Sequence, residues 1–112
     1  MLNPDFTFAL EEFTDLESQI QFYAPLDVVS AALSGGYMKW EINGLGEAYG
    51  FLLRLKSNQR PFVVKTMVNV NAVDGSDPIE WFIETKNLDT ALEVFKGLKL
   101  NSVEISWRKG AV

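Results

Sequence analysis

Catalysis by this 112-residue chain would have to come from carboxylates, hydroxyls, lysines and tyrosines, because it contains neither histidine nor cysteine. Without Cys there is no disulfide, thiolate nucleophile, iron–sulfur cluster or sulfur-based zinc site. Without His the usual imidazole base and the commonest zinc ligand are missing as well. Paired carboxylates are the natural general acid and base that remain. Glu80 and Glu84 share one face of an expected strand, but four residues of extended chain separate them by about 13 Å. Glycosidase pairs need roughly 5–9.5 Å. Glu11 and Glu12 are adjacent and would point to opposite faces of a strand. A carboxylate-based hydrolase would therefore need acids from separate strands to converge in one cleft with a raised pKa. No catalytic residue, metal or cofactor is expected.

Two other motifs are better read as turns. Gly44-Leu45-Gly46-Glu47-Ala48-Tyr49-Gly50 puts Tyr49 where a dinucleotide fingerprint needs its third glycine, and a strand follows where a helix should open. Asn69, Asn71, Asp74 and Asp77 offer oxygens for a hard cation. With Gly75 in the glycine slot, however, the first two ligand positions of an EF-hand fall on Val70 and Ala72. An Asx-type turn is the expectation.

Charge is the feature that composition explains least. The net charge of −5 is uneven: residues 1–38 carry six acids and no Lys or Arg, whereas from Lys39 onward nine acids face ten bases. A one-signed face gives fast, steered association with a basic partner. The candidate contacts are Glu11, Glu12, Asp15, Glu17 and Asp27. No basic patch is evident, so neither nucleic acid nor an anionic membrane is an expected partner. Met1–Phe13 has no positively charged segment and no long apolar run, so no signal peptide or membrane span is expected and a cytoplasmic location is the default.

The elements that position these residues follow from length and periodicity. The length suits one domain, with 1–38 as an acidic flank and 39–112 as a sheet plus one helix. Hydrophobic residues make up 47% of the chain, enough to close a core without crosslinks. Met38, Trp40 and Ile42 alternate, Asn43-Gly44 offers a turn, and Tyr49, Phe51, Leu53 and Leu55 alternate again. Phe62, Val64, Val68 and Val70 mark a third strand, the turn-rich 73–78 follows, and Ile79, Trp81 and Ile83 form a fourth. Short turns require these strands to pair antiparallel, as a meander. Leu88, Ala91, Leu92 and Phe95 then fall at helical spacing, with Asn87 or Asp89 as cap and Gly97 as stop, before a last strand of Val103, Ile105 and Trp107.

The first third admits two readings. Leu2, Phe6, Ala9, Phe13, Leu16, Ile20 and Tyr23 fit one long helix, yet Phe6, Phe8 and Leu10 alternate. The capping box Thr14-x-x-Glu17 favours a strand near 5–12, a helix near 15–23, and a short helix after Pro25 that stops at Gly35-Gly36. The expected fold is thus α+β: an antiparallel meander of about five to six strands with helices on one face. Trp40, Trp81 and Trp107 share the apolar parity of their strands and are expected in the core, leaving Tyr37 and Phe82 as exposed aromatics. The other face would carry Lys39, Glu41, Arg54, Lys56, Lys65, Glu84, Glu104 and Arg108 as solvated cross-strand pairs.

Two stretches carry a resemblance. Phe6-Thr7-Phe8-Ala9-Leu10-Glu11-Glu12-Phe13 followed by Thr14-Asp15-Leu16-Glu17 resembles the acidic opening strand and helix of small immunity proteins of bacterial toxin systems, including those directed against deaminase toxins. Ala91-Leu92-Glu93-Val94-Phe95-Lys96-Gly97 with Ser102-Val103-Glu104-Ile105-Ser106-Trp107 resembles their closing helix and tryptophan-bearing strand. Leu26 to Gly36 departs from that pattern by adding a second helix. The resemblance implies a non-catalytic protein that occludes a cognate toxin, and it assigns no site residues. The expected function is a protein-binding module, an immunity or inhibitor protein docking a basic partner. The alternative is a self-associating structural subunit, such as one of a phage particle, paired through an edge strand or the exposed sheet face.

Overall fold

A computed structural model describes residues 2–4, 15–33, 37–42, 44–100 and 105–108. Among them are seven strands: β1 (Leu2–Pro4), β2 (Glu17–Pro25), β3 (Met38–Ile42), β4 (Gly46–Leu55), β5 (Pro61–Thr66), β6 (Pro78–Thr85) and β7 (Ile105–Arg108). Two helices, α1 (Leu26–Leu33) and α2 (Leu88–Gly97), complete the described elements. The strands form one sheet in the order β1-β4-β5-β6-β2-β7, and β3 also pairs with β4. All the described pairings are antiparallel. The expected α+β architecture is thus the one observed, with the meander running from β3 to β6.

Strand β4 organises the sheet. One of its edges holds β5 along Tyr49–Arg54. The other is shared: β3 takes Gly46–Gly50 and β1 takes Leu53–Leu55. The β3–β4 hairpin closes where Leu45 donates its N–H to the Ile42 carbonyl at 2.9 Å. Gly44 and Gly46 sit there at φ of +81° and +104°, a region that costs glycine nothing and an L side chain a good deal.

Alternation along the strands builds the core. Ile20, Phe22, Tyr49, Phe51, Leu53, Phe62, Val64, Trp81 and Ile83 point to one face, where they meet Val29 and Leu33 of α1 and Ala91, Val94 and Phe95 of α2. Phe22 and Phe95 pack edge to face at 5.6 Å between ring centres, a favoured aromatic geometry. Trp81 is fully buried and donates its indole N–H to the Ala24 carbonyl at 2.9 Å. Both helices therefore cover the same face. The opposite face has a smaller cluster of Leu16, Leu52 and Val63, with Trp40 packed against it.

Several expectations need correction. The helix expected near 15–23 is instead β2, a central strand between β6 and β7. The register slips by one residue at Gln19, between the pairs Ser18–Glu84 and Ile20–Ile83. Such a bulge shifts the inside–outside alternation, so apolar residues fall at mixed spacings that imitate a helical stripe. Pairing on both edges overrides the capping box. The short helix after Pro25 is present as α1. The strand expected near 5–12 lies outside the described residues. The third strand ends earlier than expected, at Thr66, whose hydroxyl accepts the Val68 N–H at 3.1 Å. Val70 then opens a short 3-10 turn, Val70–Ala72.

Helix α2 matches its expected bounds. Asn87 caps it by accepting the Thr90 N–H at 2.9 Å. Gly97 is its last residue and Leu98 the C-cap, while Lys99 takes the left-handed conformation at φ +57°.

The parity argument fails on β3. Trp40 pairs with Ala48 and Met38 with Gly50, positions of β4 that face away from Tyr49 and Phe51. The apolar side of β3 is therefore on the outer face, and Trp40 is half-buried there instead of in the main core. Lys39 and Glu41 lie on the opposite side, level with Tyr49 and Glu47. Lys65 and Glu84 do lie on the outer face, but they are joined to each other and largely withdrawn from solvent. The side chains of Trp107 and Arg108, and Glu104 as a whole, lie outside the described residues.

Candidate protein-interaction surface

The carboxylates singled out by spacing have separate partners. Glu84 binds the Lys65 ammonium at 2.8 Å, and Glu80 accepts the Tyr23 hydroxyl at 3.3 Å. The oxygens of 69–77 are engaged locally. Asn69 accepts the Asn71 N–H at 3.0 Å, and the Asn71 side-chain oxygen accepts the Tyr37 hydroxyl at 3.2 Å. Asp74 accepts the backbone N–H and the hydroxyl of Ser76, at 2.9 and 2.7 Å. The backbone bond and then the hydroxyl bond hold the Asp74 carboxyl below its ordinary range, since both stabilise the charged form. This is the Asx turn expected from the sequence. Among the described residues, no three acidic side chains are grouped to hold a metal ion.

The acidic flank is drawn out along the molecule. Asp15 and Glu17 are exposed at the start of β2, whereas Asp27 lies beyond its far end, in the first turn of α1. The strand between them is about 26 Å long, most of the molecule's 34 Å longest extent. Asp27 also ties α1 to the loop before β6. Its N–H donates to the Gly75 carbonyl at 3.0 Å, and a Cβ on Gly75 would come within 2.5 Å of its carboxylate. The fold thus separates Asp27 from Asp15 and Glu17. Glu11 and Glu12 lie outside the described residues.

Hollows interrupt the described surface. One of about 580 Å³ lies between α1 and the end of α2, lined by Val28, Ala31, Ala32 and Leu98 with Asp27 and Lys99 at its margin. A second, of about 340 Å³, lies beside Arg60, Lys86 and the start of α2. Three of its polar groups already bind one another: Arg60 donates to the Thr90 hydroxyl at 3.2 Å, which in turn donates to the Asn87 oxygen at 2.9 Å.

A third hollow, also about 340 Å³, is on the outer sheet face and is lined by Ser18, Ile42, Leu45, Lys65, Met67 and Phe82. Its walls are apolar, and Leu45 at the hairpin tip is 75% exposed. Asp15 and Glu17 are exposed at the start of β2, next to the wall residue Ser18, although Glu17, level with Thr85, and Glu41, level with Glu47, stand on the helix-bearing side of the sheet. The off-parity position of Phe82 was the one signal for this cleft in the sequence. Its other walls come from three separate segments and carry none.

Along the cleft's margin, strand β3 presents a second kind of surface. Glu41 stands directly opposite Glu47, while Lys39 binds Glu47 diagonally at 3.0 Å. That carboxylate, first by hydrogen bonding and then by its charge, raises the Lys39 pKa above its ordinary value. Both side chains of the pair remain at least half exposed. Among the described residues no helix is long and apolar enough to cross a membrane. Compared with known proteins, the chain matches no family model, and no curated protein or solved structure shows significant similarity to it.

Proposed function

We propose that this protein is a non-catalytic protein-binding module, and that its partner presents an apolar side chain ringed by basic residues. The observation that carries this reading is the outer-face cleft, with the exposed Leu45 at its lip and the exposed acids Asp15 and Glu17 at the adjoining start of β2. Exposed apolar surface rimmed by charge is the usual form of a recognition site. The acids would steer a basic partner in, and the apolar walls would hold it. An inhibitor or immunity role is the specific form of this reading, supported by the resemblance of the opening and closing segments. The acidic contribution is assigned to Asp15 and Glu17, since Asp27 lies at the other end of the strand.

The test is affinity capture from the source cell followed by titration of the purified partner. Leu45→Asp and the double variant Asp15→Lys/Glu17→Lys should each weaken binding about tenfold or more, with melting temperatures near wild type. Added salt should weaken the wild-type complex in the same direction. A partner bound equally by all three proteins and insensitive to salt would sink the proposal.

A further inference from the structure

Among the described residues strand β3 is an edge. It pairs with β4 on one side, and among the described residues no strand pairs with its other side. Alternate N–H and C=O groups of an edge strand point outward without a partner, forming a template for another strand. Here that template is written in a self-complementary code. Met38-Lys39-Trp40-Glu41-Ile42 is symmetrical about Trp40 in hydropathy and opposite in charge on the two sides. Pairing two copies antiparallel about Trp40 sets Lys39 of each opposite Glu41 of the other. The same register sets Met38 opposite Ile42 and Trp40 opposite Trp40. A parallel in-register pairing would instead oppose Lys39 to Lys39 and Glu41 to Glu41.

Among the described residues, the arrangement within one chain sets no opposite charge against Glu41. It stands opposite Glu47, a like-charge cross-strand pair that is unfavourable, and Lys39 of its own chain is engaged with Glu47. A second Lys39 opposite Glu41 would offset that repulsion, giving the row Glu47–Glu41–Lys39–Tyr49 across the junction. On the outer face the half-exposed Met38, Trp40 and Ile42 would cover their counterparts. This answers the exposure of Met38 and the half-burial of Trp40 and Ile42.

We infer that two copies of this chain join through antiparallel pairing of their β3 strands about Trp40, forming one continuous two-fold symmetric sheet. The inference does not rest on the docking reading, since it is argued from the strand's edge, although Ile42 belongs to both surfaces. Isologous two-fold interfaces are the commonest form of self-association.

The experiment is sedimentation equilibrium of the full chain over a wide concentration range, with circular dichroism to show that each variant is folded. Wild type should pass from monomer to dimer and stop there. Glu41→Lys and Lys39→Glu should each weaken the dimer about tenfold, because two attractive pairs become two repulsive ones. The double variant Lys39→Glu/Glu41→Lys should restore wild-type affinity, because the exchanged charges remain complementary in this register alone. A chain that stays monomeric, a dimer indifferent to the single reversals, or a double variant as weak as the single ones overturns the inference. Failure here would leave the effect of Asp15 and Glu17 on partner capture untouched.

Discussion

The Lys65 ammonium lies 2.8 Å from the Glu84 carboxylate on the outer sheet face, with only 16% and 17% of the two side chains exposed. The two residues are diagonal neighbours on β5 and β6, since Val63 pairs with Glu84 and Lys65 with Phe82. Removing one member of a mostly buried pair strands the other charge. Lys65→Met or Glu84→Leu alone should therefore destabilise by about 2–3 kcal/mol. The double variant, with an apolar pair in place of the ionic one, should fall within about 1 kcal/mol of wild type. Urea unfolding of the four proteins checks this. Additive losses in the double variant would mean that the pair is not coupled.

Gly50 should not tolerate a side chain. A Cβ there would collide with the Val64 carbonyl oxygen and stand 2.7 Å from the Lys65 Cα, both backbone atoms of the adjacent strand. Gly50→Ala should cost about 3 kcal/mol, since relief requires β4 and β5 to move apart. The measurement is the urea midpoint, with the slope expected to stay unchanged.

Asn87 holds the start of α2 by accepting both the N–H and the hydroxyl of Thr90, each at 2.9 Å. Asn87→Ala should destabilise by about 1 kcal/mol. Asn87→Asp, which keeps an acceptor and adds charge favourable to the helix dipole, should remain close to wild type. Thermal melts of the two variants distinguish loss of the cap from loss of volume.

Asp74 should mark the acid limb of stability. Its folded-state pKa lies below the ordinary 3.8 because Ser76 donates to the charged carboxylate. Folding therefore favours the ionised form, and that stabilisation is full above the ordinary value. It is lost as pH falls through the lower folded-state value. Asp74→Asn keeps an acceptor but cannot ionise, so wild type should lead it near neutrality and the gap should close in acid. Unfolding curves of both proteins across acidic pH decide the matter; a gap that widens on acidification contradicts the assignment.

Local features were the most legible in the sequence. The Asn87 cap, the Asx turn at Asp74, the hairpin at Gly44 and the alternation of β4 and β6 all follow from residues within a few positions of one another. The absence of His and Cys, and the crowding of six acids into residues 1–38, likewise needed no structure. Of the candidate surface, the acids Asp15 and Glu17 are legible in the sequence, but among the cleft's walls only Phe82 is, as an aromatic off its strand's apolar parity. Ile42, Leu45 and Met67 meet it only because the hairpin folds beside β5 and β6.

Two decisions belonged to the tertiary structure. Residues 17–25 became a strand because β6 and β7 pair with both edges, while the slip at Gln19 disguised the two-residue period. Strand β3 alternates plainly in the sequence, yet alternation says only that one side is apolar. Which face of the sheet receives that side depends on register, and register lies in the pairing of Trp40 with Ala48. A shift of one residue would have sent Trp40 to the main core and Lys39 and Glu41 outward. The sequence by itself determined which chemistries are missing and where the charge lies. The face on which Lys39 and Glu41 stand was decided by a single cross-strand register, that of Trp40 with Ala48.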